Sequence, residues 1–184
     1  MELIKNKIAF LTESNALSKT LAKKLIPTSY KLGNFRFFAK LHKEKFGIRP
    51  IISCREHPTS ILCKLIELIL QPIVRKTSTY IKDSQHFIQN TYNIKLESND
   101  VFLYTCDFES LYRNINKTDA INLITDYIKD SLDIEHITPT GFNSILELIF
   151  TNNVFRYKNN FFIQKIGIAM GIICGPSIAN LFIF

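Results

Sequence analysis

The chain has 184 residues, of which 46% are apolar types and 21% are charged, and its formal net charge is +7. This composition excludes a disordered tail, because the apolar fraction can build a core, and the length suits one ordinary domain. The positive charge favours an anionic partner, and nucleic acid is preferred to a membrane surface because no single basic block stands out.

The N-terminal third predicts a helix followed by a hairpin. Residues 14–26 place leucines at helical spacing with lysines on the other face, and Pro27 ends the pattern. Two runs rich in aromatic and β-branched residues, 35–41 and 48–54, then flank the polar stretch HKEKFG. We expect them to form a β-hairpin with a basic tip.

The middle of the chain predicts a second helix and a buried strand. The helix begins near Ser60 with a wide apolar face and is expected to end before Pro72. Residues 101–106 (VFLYTC) are almost all apolar, which is typical of a strand covered on both faces. That strand would lead directly into Asp107.

The C-terminal third predicts two helices and a second hairpin. Asn116 or Thr118 can cap the first helix and Thr138 the second. Residues 154–157 and 161–164 flank an Asn-rich turn, as in a hairpin. The predicted class is therefore α+β, with mixed helices and short antiparallel hairpins.

The cysteines indicate a reducing compartment. Their spacing is not paired, and Cys106 and Cys174 lie inside apolar runs, which predicts buried thiols. The N-terminus has no secretory pattern, so we expect an intracellular protein, nuclear or cytoplasmic and not secreted. A zinc site with Cys54, His57 and Cys63 as ligands is a minor alternative, because a second well-spaced pair is missing.

Residues 166–184 are uncharged and allow two interpretations. Gly167, Gly171 and Gly175 recur every four residues, and the length and spacing are typical of a membrane helix with a close-packing face. Pro176 argues against it, because proline removes a hydrogen bond near the centre of such a helix. A C-terminal membrane anchor therefore stays open as an alternative.

Two residues of the segment YTCDFESLYRNI are candidates for chemistry. Asp107 at a strand end could bind a divalent cation in a cleft, or it could simply cap the next turn. Tyr112 could form the wall of a nucleotide sugar pocket, although an aromatic residue beside Leu111 is more often part of the core.

The first hairpin carries the candidate cations. Lys40, Lys43, Lys45 and Arg49 lie within ten residues, so several could reach a triphosphate together. For a single lysine, a solvated strand charge is the simpler interpretation.

Four segments together resemble a known family. AKLHK, IRPIIS, YTCDFESLYRNI and FFIQKIGIAMGIICGPSIANLF occur in the order and spacing of reverse transcriptases, and most closely of those from Penelope-like retroelements. Those proteins carry LPKIHK-like, RPI, D-x-x-S-L-[FY]-x-N-I and Q-x-x-G-x-x-M-G-x-x-x-x-P-x-x-A-N segments. The resemblance covers residues 35–184 and implies the fingers and a partial palm, with residues 1–34 as an N-terminal helical extension. It also explains the glycine run as a bend that leads into a helix.

The resemblance implies an RNA-directed DNA polymerase that uses an RNA template, a DNA primer, deoxynucleoside triphosphates and two Mg²⁺ ions. One metal lowers the pKa of the primer 3′-hydroxyl and the other stabilises the leaving pyrophosphate. By the same resemblance, Asp107 is the catalytic metal-binding aspartate and the carbonyl of Phe108 is a further metal ligand. The implied nucleotide-binding residues are Arg49 with Lys40 or Lys43, Tyr112 as the sugar gate, and Gln164, Gly167, Met170 and Gly171.

The chain departs from the family pattern in three places. Ala39 replaces a proline, Ile172-Ile173 replaces the usual Ser-Pro, and the sequence ends at Phe184, before the paired aspartate and the thumb. We therefore expect this chain alone to be inactive unless the missing palm and thumb portion is supplied from elsewhere. A non-catalytic nucleic-acid-binding remnant is the alternative function.

Overall fold

The computed structural model describes residues 1–41, 46–95, 101–129 and 136–184. These residues form helices and strands in mixed order, as expected for an α+β protein. The helices are α1 Glu2–Glu13, α2 Lys19–Leu25, α3 Ser60–Val74, α4 Ser84–Tyr92, α5 Leu111–Asn114, α6 Lys117–Lys129, α7 Pro139–Thr151 and α8 Gly175–Ile183. The strands are β1 Gly33–Ala39, β2 Ile48–Ile52, β3 Val154–Tyr157 and β4 Asn160–Ile163.

The four strands form one mixed sheet in the order β2-β1-β3-β4. Both predicted hairpins are present, and each pairs its strands antiparallel. A short parallel pairing of β1 with β3 joins the two hairpins, with Gly33 opposite Phe155 and Asn34 opposite Arg156. The sheet therefore brings together two segments that lie more than a hundred residues apart.

The two faces of the sheet differ in burial. Phe35, Ile52 and Phe155 point to one face and pack against the hydrophobic core. Arg36, Arg49 and Arg156 are exposed on the other face, which also carries the half-buried Ile51 and Val154. This alternation is usual for a sheet that covers a core on one side only.

The core lies among α3, α6, α7 and α8, which contact one another. Their inward side chains follow helical spacing, so each helix buries one face. The fully buried members include Leu62, Ile66 and Leu70 of α3, Ile124 and Ile128 of α6, Phe142, Ile145 and Leu146 of α7, and Ile178 and Leu181 of α8.

The N-terminal helices join the same core. Ile4, Ile8 and Leu11 of α1 are buried at i, i+4 and i+7. The carbonyl of Ala16 accepts a hydrogen bond of 3.1 Å from the backbone N–H of Thr138 at the start of α7. The boundary between residues 1–34 and 35–184 stays a prediction.

Both helices predicted after residue 115 are confirmed with their caps. Asn116 Oδ1 accepts from the N–H of Thr118 at 2.9 Å, at the beginning of α6. Thr138 Oγ1 accepts from the N–H of Gly141 at 3.1 Å, at the beginning of α7. Each oxygen satisfies a donor that the first helical turn leaves unpaired.

The predicted buried strand at 101–106 is wrong. These residues form no strand and are exposed throughout, with Leu103 at 94%. The prediction that Asp107 ends a buried strand and that Cys106 is a buried thiol is wrong for the same reason. The apolar run supplies strand-forming side chains, but it does not join the sheet formed by β1 to β4.

Smaller differences concern helix ends and helices without a predicted counterpart. Helix α3 continues past Pro72, which lies in its last turn. Proline has no N–H to donate to the carbonyl of Leu68, but Leu68 is exposed, so water can reach that carbonyl. Helices α1 and α4 were not predicted, although α4 has a clear cap in which Asp83 Oδ1 accepts from the N–H of His86. The tip of the first hairpin at 42–45 lies outside the described residues.

The uncharged C-terminal segment is a bend followed by a short helix. Gly167 and Gly171 have positive φ values of 69° and 121°, and α8 begins only at Gly175. The expected bend leading into a helix is confirmed. Among the helices in the described part of the chain, none combines the length and apolarity needed to cross a membrane.

Candidate functional site

A cleft of about 620 Å³ lies between the end of the first hairpin and the segment that precedes α5. Two of the candidate ionic side chains, Lys40 and Asp107, line it together. The complete lining is Lys40, Phe46, Gly47, Ile48, Asp107, Phe108, Glu109, Ser110 and Arg113.

Lys40 lies over the neighbouring strand, where a glycine makes room for it. Its backbone N–H donates to the carbonyl of Gly47 at 2.8 Å, which extends the hairpin ladder beyond Ala39. A Cβ on Gly47 would lie 3.3 Å from Lys40 Cδ, so the stem of the lysine packs closely against the glycine. The ammonium group is thereby held beside the cleft.

The other side of the cleft carries carboxylates and a strained turn. Asp107 and Glu109 are exposed, and Phe108 is 61% exposed. Ser110 has a φ of 56°, in the left-handed region that non-glycine residues rarely adopt. Its Oγ accepts a 2.7 Å hydrogen bond from Arg113 Nη2, which holds the guanidinium beside the turn. Strained residues of this kind cluster at functional sites.

Tyr112 is held against the segment that contains Gly167, Gly171 and Gly175, here called the glycine-rich segment, which lies behind the cleft. Its carbonyl accepts from the N–H of Ile168 at 2.8 Å, and a Cβ on Gly167 would lie 2.5 Å from that carbonyl oxygen. A Cβ on Gly175 would lie 3.3 Å from the Cε1 atom of the Tyr112 ring. The ring is half-buried, and burial raises the pKa of the Tyr112 hydroxyl. Tyr112 does not line the cleft itself.

Gly171 and Met170 join the same segment to the first hairpin. The N–H of Ile52 donates to the carbonyl of Met170 at 2.9 Å. A Cβ on Gly171 would lie only 2.1 Å from the carbonyl oxygen of Ile52. Glycine at position 171 therefore permits a backbone approach that a side chain would prevent.

Gln164 serves the local structure. Its Oε1 accepts from Asn153 Nδ2 at 3.1 Å, and its Nε2 donates to the carbonyl of Ile166 at 3.0 Å. Its backbone carbonyl accepts from Lys117 Nζ at 2.8 Å, and the same ammonium donates to the carbonyl of Phe150 at 3.0 Å. Desolvation lowers the pKa of Lys117, and the nearby charge of Lys165 lowers it further. Lys117 thus ties α6 to α7 and to the beginning of the glycine-rich segment.

The remaining candidates lie apart from the cleft. Arg49 is exposed on the open face of the sheet, opposite Phe38, and does not line the cleft. Lys43 falls outside the described residues.

The residues at the cleft fit magnesium in their chemistry. Asp107 and Glu109 offer carboxylate oxygens, and Mg²⁺ in nucleotide enzymes is commonly held by one or two carboxylates together with substrate phosphates. Within the described ranges, no group of three or more His, Cys, Asp or Glu residues could hold a metal ion by itself. A magnesium ion here would therefore depend on phosphate oxygens.

The alternative zinc site is contradicted at His57. Its Nδ1 is within 2.8 Å of Thr59 Oγ1 and accepts from the N–H of Thr59, and its Nε2 lies 3.0 Å from the carbonyl of Val154. Burial lowers the pKa of His57, while the bond to Val154 opposes the shift. Both ring nitrogens are already engaged, so neither is free to bind a metal.

Sequence reasoning did not identify two ionic residues of the cleft, Glu109 and Arg113. The sequence contains one local signal for Arg113. It lies three residues after Ser110, and residues at this spacing share one face of a helix. The cleft also includes the exposed Phe46, a residue that the basic charge pattern of the hairpin does not predict.

Comparisons of the chain with models of protein families, with curated proteins and with solved structures find no match.

Proposed function

We propose that the chain is the fingers and N-terminal palm portion of an RNA-directed DNA polymerase, similar to the reverse transcriptases of Penelope-like retroelements. One observation carries the proposal: three segments that are distant in sequence meet at one place. The RPI segment is hydrogen-bonded through Ile52 to Met170, and the segment after Asp107 is hydrogen-bonded through Tyr112 to Ile168. The family resemblance assigns these same three segments to nucleotide binding.

The charges at the cleft suit a nucleoside triphosphate. Lys40 and Arg113 supply cations to phosphate oxygens, and the planar guanidinium can bind two of them at once. Asp107 and the carbonyl of Phe108 would hold magnesium, which when bound lowers the pKa of the primer 3′-hydroxyl and neutralises phosphate charge. In the proposed reaction the primer oxygen bonds to the α-phosphorus as the bond to pyrophosphate breaks, with an RNA strand as template.

Tyr112 lies behind the cleft, and its ring would exclude ribonucleotides by bulk where the sugar of a bound nucleotide extends toward it. Its ring packs at Gly175 and its backbone at Gly167, so the position of the ring is fixed by two close contacts. The raised pKa keeps the hydroxyl protonated near neutral pH.

Nucleotide binding by this chain is the direct test. We expect a deoxynucleoside triphosphate to bind more tightly with Mg²⁺ than without it, and Lys40→Gln and Asp107→Asn each to weaken binding about tenfold, the loss of one charge-assisted contact. Lys64→Gln and Asp119→Asn are matched controls, because both residues are exposed elsewhere. Binding that is independent of Mg²⁺ and equal in all four variants would refute the proposal.

Primer extension tests the catalytic part. We expect none from this chain alone, and we expect extension from a longer chain that carries the paired-aspartate segment. In that longer chain, Asp107→Asn should abolish extension and leave template binding intact. Tyr112→Ala should relax discrimination against ribonucleotides.

A non-catalytic nucleic-acid-binding protein is the second candidate. The net charge of +7 favours it, because nucleic acid is an anionic partner. Template binding without Mg²⁺-dependent nucleotide binding would support this candidate over the polymerase. Either function would operate in the nucleus or the cytoplasm.

A further inference from the structure

Two buried cysteines meet where α3 packs against the beginning of α8. Cys63 lies in the first turn of α3, and Cys174 directly precedes Gly175, the first residue of α8. Their side chains are 1% and 0% exposed, and the two thiols are hydrogen-bonded to each other. The two cysteines lie more than a hundred positions apart in the sequence, so the fold alone pairs them.

The surroundings of the two thiols differ. The hydrogen bond from Cys174 lowers the pKa of Cys63, and burial opposes this shift. Contacts of the Cys63 thiol with the Thr59 hydroxyl and with the backbone of Ile173 lower its pKa further. The pKa of Cys174 is raised by the same hydrogen bond, by burial and by the charges of Cys63 and Glu67. Cys63 therefore becomes a thiolate more readily, and Cys174 keeps its proton.

A carboxylate near this pair supports the assignment. Glu67 lies one helical turn after Cys63 on α3, so the two residues share one face of the helix. The Oε2 atom of Glu67 is buried, and it has no hydrogen-bond partner among the described residues. An uncompensated carboxylate disfavours a second negative charge at Cys174.

We propose that Cys63 and Cys174 form a peroxide-sensitive dithiol, which a hydroperoxide oxidises to a disulfide between α3 and the beginning of α8. A thiolate beside a second thiol is the usual arrangement of redox-sensitive cysteines, because the second thiol captures the oxidised sulfur. Hydrogen peroxide is small and uncharged, so a local opening of the fold is enough to admit it to the buried pair. The inference does not depend on the proposed function.

The proposed reaction removes two electrons from the pair in two steps. The Cys63 thiolate attacks one peroxide oxygen, so a sulfur–oxygen bond forms, the oxygen–oxygen bond breaks, and hydroxide leaves and takes up the proton that Cys63 released. The Cys174 sulfur then attacks the sulfenic acid on Cys63, so the disulfide bond forms and the sulfur–oxygen bond breaks. The hydroxyl group leaves as water with the proton of Cys174. With hydrogen peroxide, the products are the disulfide and two molecules of water.

Peptide mapping of the oxidised protein tests the pairing. Cys106→Ser removes the exposed thiol, which prevents cross-linking between copies through this residue. The protein would be treated with hydrogen peroxide, alkylated in denaturant and digested with trypsin without a reducing agent. Each buried cysteine then lies on a different peptide, because trypsin cleaves after Arg55, between Cys54 and Cys63. We expect a cross-linked product that joins the Cys63 and Cys174 peptides, lacks two hydrogen atoms and is lost after treatment with dithiothreitol.

The order of the two steps is tested with dimedone, a reagent specific for sulfenic acids. We expect Cys174→Ser to accumulate a dimedone adduct on Cys63, and Cys63→Ser to give at least about tenfold less adduct on Cys174, because the thiolate is the reactive form. Cys174→Ala and Cys63→Ala should give the same result without a buried hydroxyl, and circular dichroism would confirm that each variant is folded.

Stability measures whether the folded protein accommodates the bond. The disulfide would close a loop of more than a hundred residues, so oxidation of Cys106→Ser should raise its urea midpoint by about 1–2 M. Dithiothreitol should reverse the change. The same treatment of a chain that also carries Cys174→Ser should leave the midpoint unchanged.

Four results would overturn the inference. One is the absence of a cross-link at peroxide concentrations that oxidise free cysteine. Another is a cross-link from Cys63 to Cys54, whose Sγ atom lies 4.0 Å from Asn153 Oδ1 and is expected to keep that contact. A dimedone adduct on Cys174 in place of Cys63 would reverse the proposed roles. A lower urea midpoint after oxidation would show that the two thiols do not meet in the folded protein.

Discussion

Replacing Gly171 with alanine should destabilise the fold more than any other glycine-to-alanine change in the candidate site. The added Cβ would lie 2.1 Å from the carbonyl oxygen of Ile52, well inside the ordinary separation of about 3.5 Å. The φ of 121° also lies in the region that L side chains rarely adopt, so the strain persists even if the neighbour moves.

The expected magnitude follows from three contributions. Backbone strain costs about 1–3 kcal/mol, and moving Ile52 away breaks its hydrogen bond to Met170, which costs about 1 kcal/mol. The reduced entropy of the unfolded chain returns about 0.4–1 kcal/mol. The free energy of unfolding should therefore fall by about 1–3.6 kcal/mol, with a middle value of about 2.3 kcal/mol.

Urea unfolding followed by circular dichroism measures this effect. With a slope of about 2–3 kcal/mol per molar urea, the midpoint should fall by about 1 M. Gly47→Ala is the matched control, because the nearest atom to its Cβ would be the flexible Cδ of Lys40 at 3.3 Å. If the two variants unfold within about 0.5 kcal/mol of each other, the close approach of residue 171 to Ile52 does not exist in the folded protein.

Three further predictions concern titratable groups. Burial lowers the pKa of His57 below 6.5, so at acidic pH the unfolded chain binds a proton that the folded chain does not. The contribution of His57 to the free energy of unfolding should therefore be constant above pH 6.5. Below pH 6.5 that free energy should fall by at most about 1.4 kcal/mol per pH unit. Urea midpoints from pH 8 to 5 check this, and a slope that persists in His57→Gln would assign it to other groups. Lys117→Met should lower the free energy of unfolding, measured by thermal unfolding, by about 1–3 kcal/mol, because the carbonyls of Phe150 and Gln164 lose their donor. Lys165→Met is the control and should cost little. Equal losses in the two variants would contradict the role of Lys117. Iodoacetamide should label the exposed Cys106 quickly. It should label Cys54 only after unfolding, because this thiol is buried and burial raises its pKa to about 12. The reverse order of labelling would contradict the exposure of Cys106 and the burial of Cys54.

Local signals in the sequence were sufficient for much of the secondary structure. Helices α6 and α7 were predicted because an oxygen-bearing cap precedes an apolar pattern of helical period, and both caps are formed. The hairpins were predicted because their strands are neighbours in the chain. Helix α1 has the same helical spacing at Ile4, Ile8 and Leu11, but no side-chain cap marks its beginning.

Contacts between distant segments could not be predicted in this way. The parallel pairing of Gly33 with Phe155 has no local signal, because it depends on where the whole core places two hairpins. Burial of residues 101–106 was inferred from composition, yet a strand also requires a neighbour with free backbone groups. The sharing of one cleft by Lys40 and Asp107 was suggested by the resemblance, while the part taken by Arg113 required the fold itself.

The exposed run at 101–104 has a consequence for the behaviour of the chain in solution. Val101, Phe102, Leu103 and Tyr104 are 50–94% exposed, and short segments of this composition pair between copies into cross-β aggregates. Asp100 and Asp107 bracket the run in the sequence, and we expect them to oppose this pairing, because stacking identical segments would bring like charges together. Neutralising both aspartates should therefore lower the concentration at which the chain begins to precipitate.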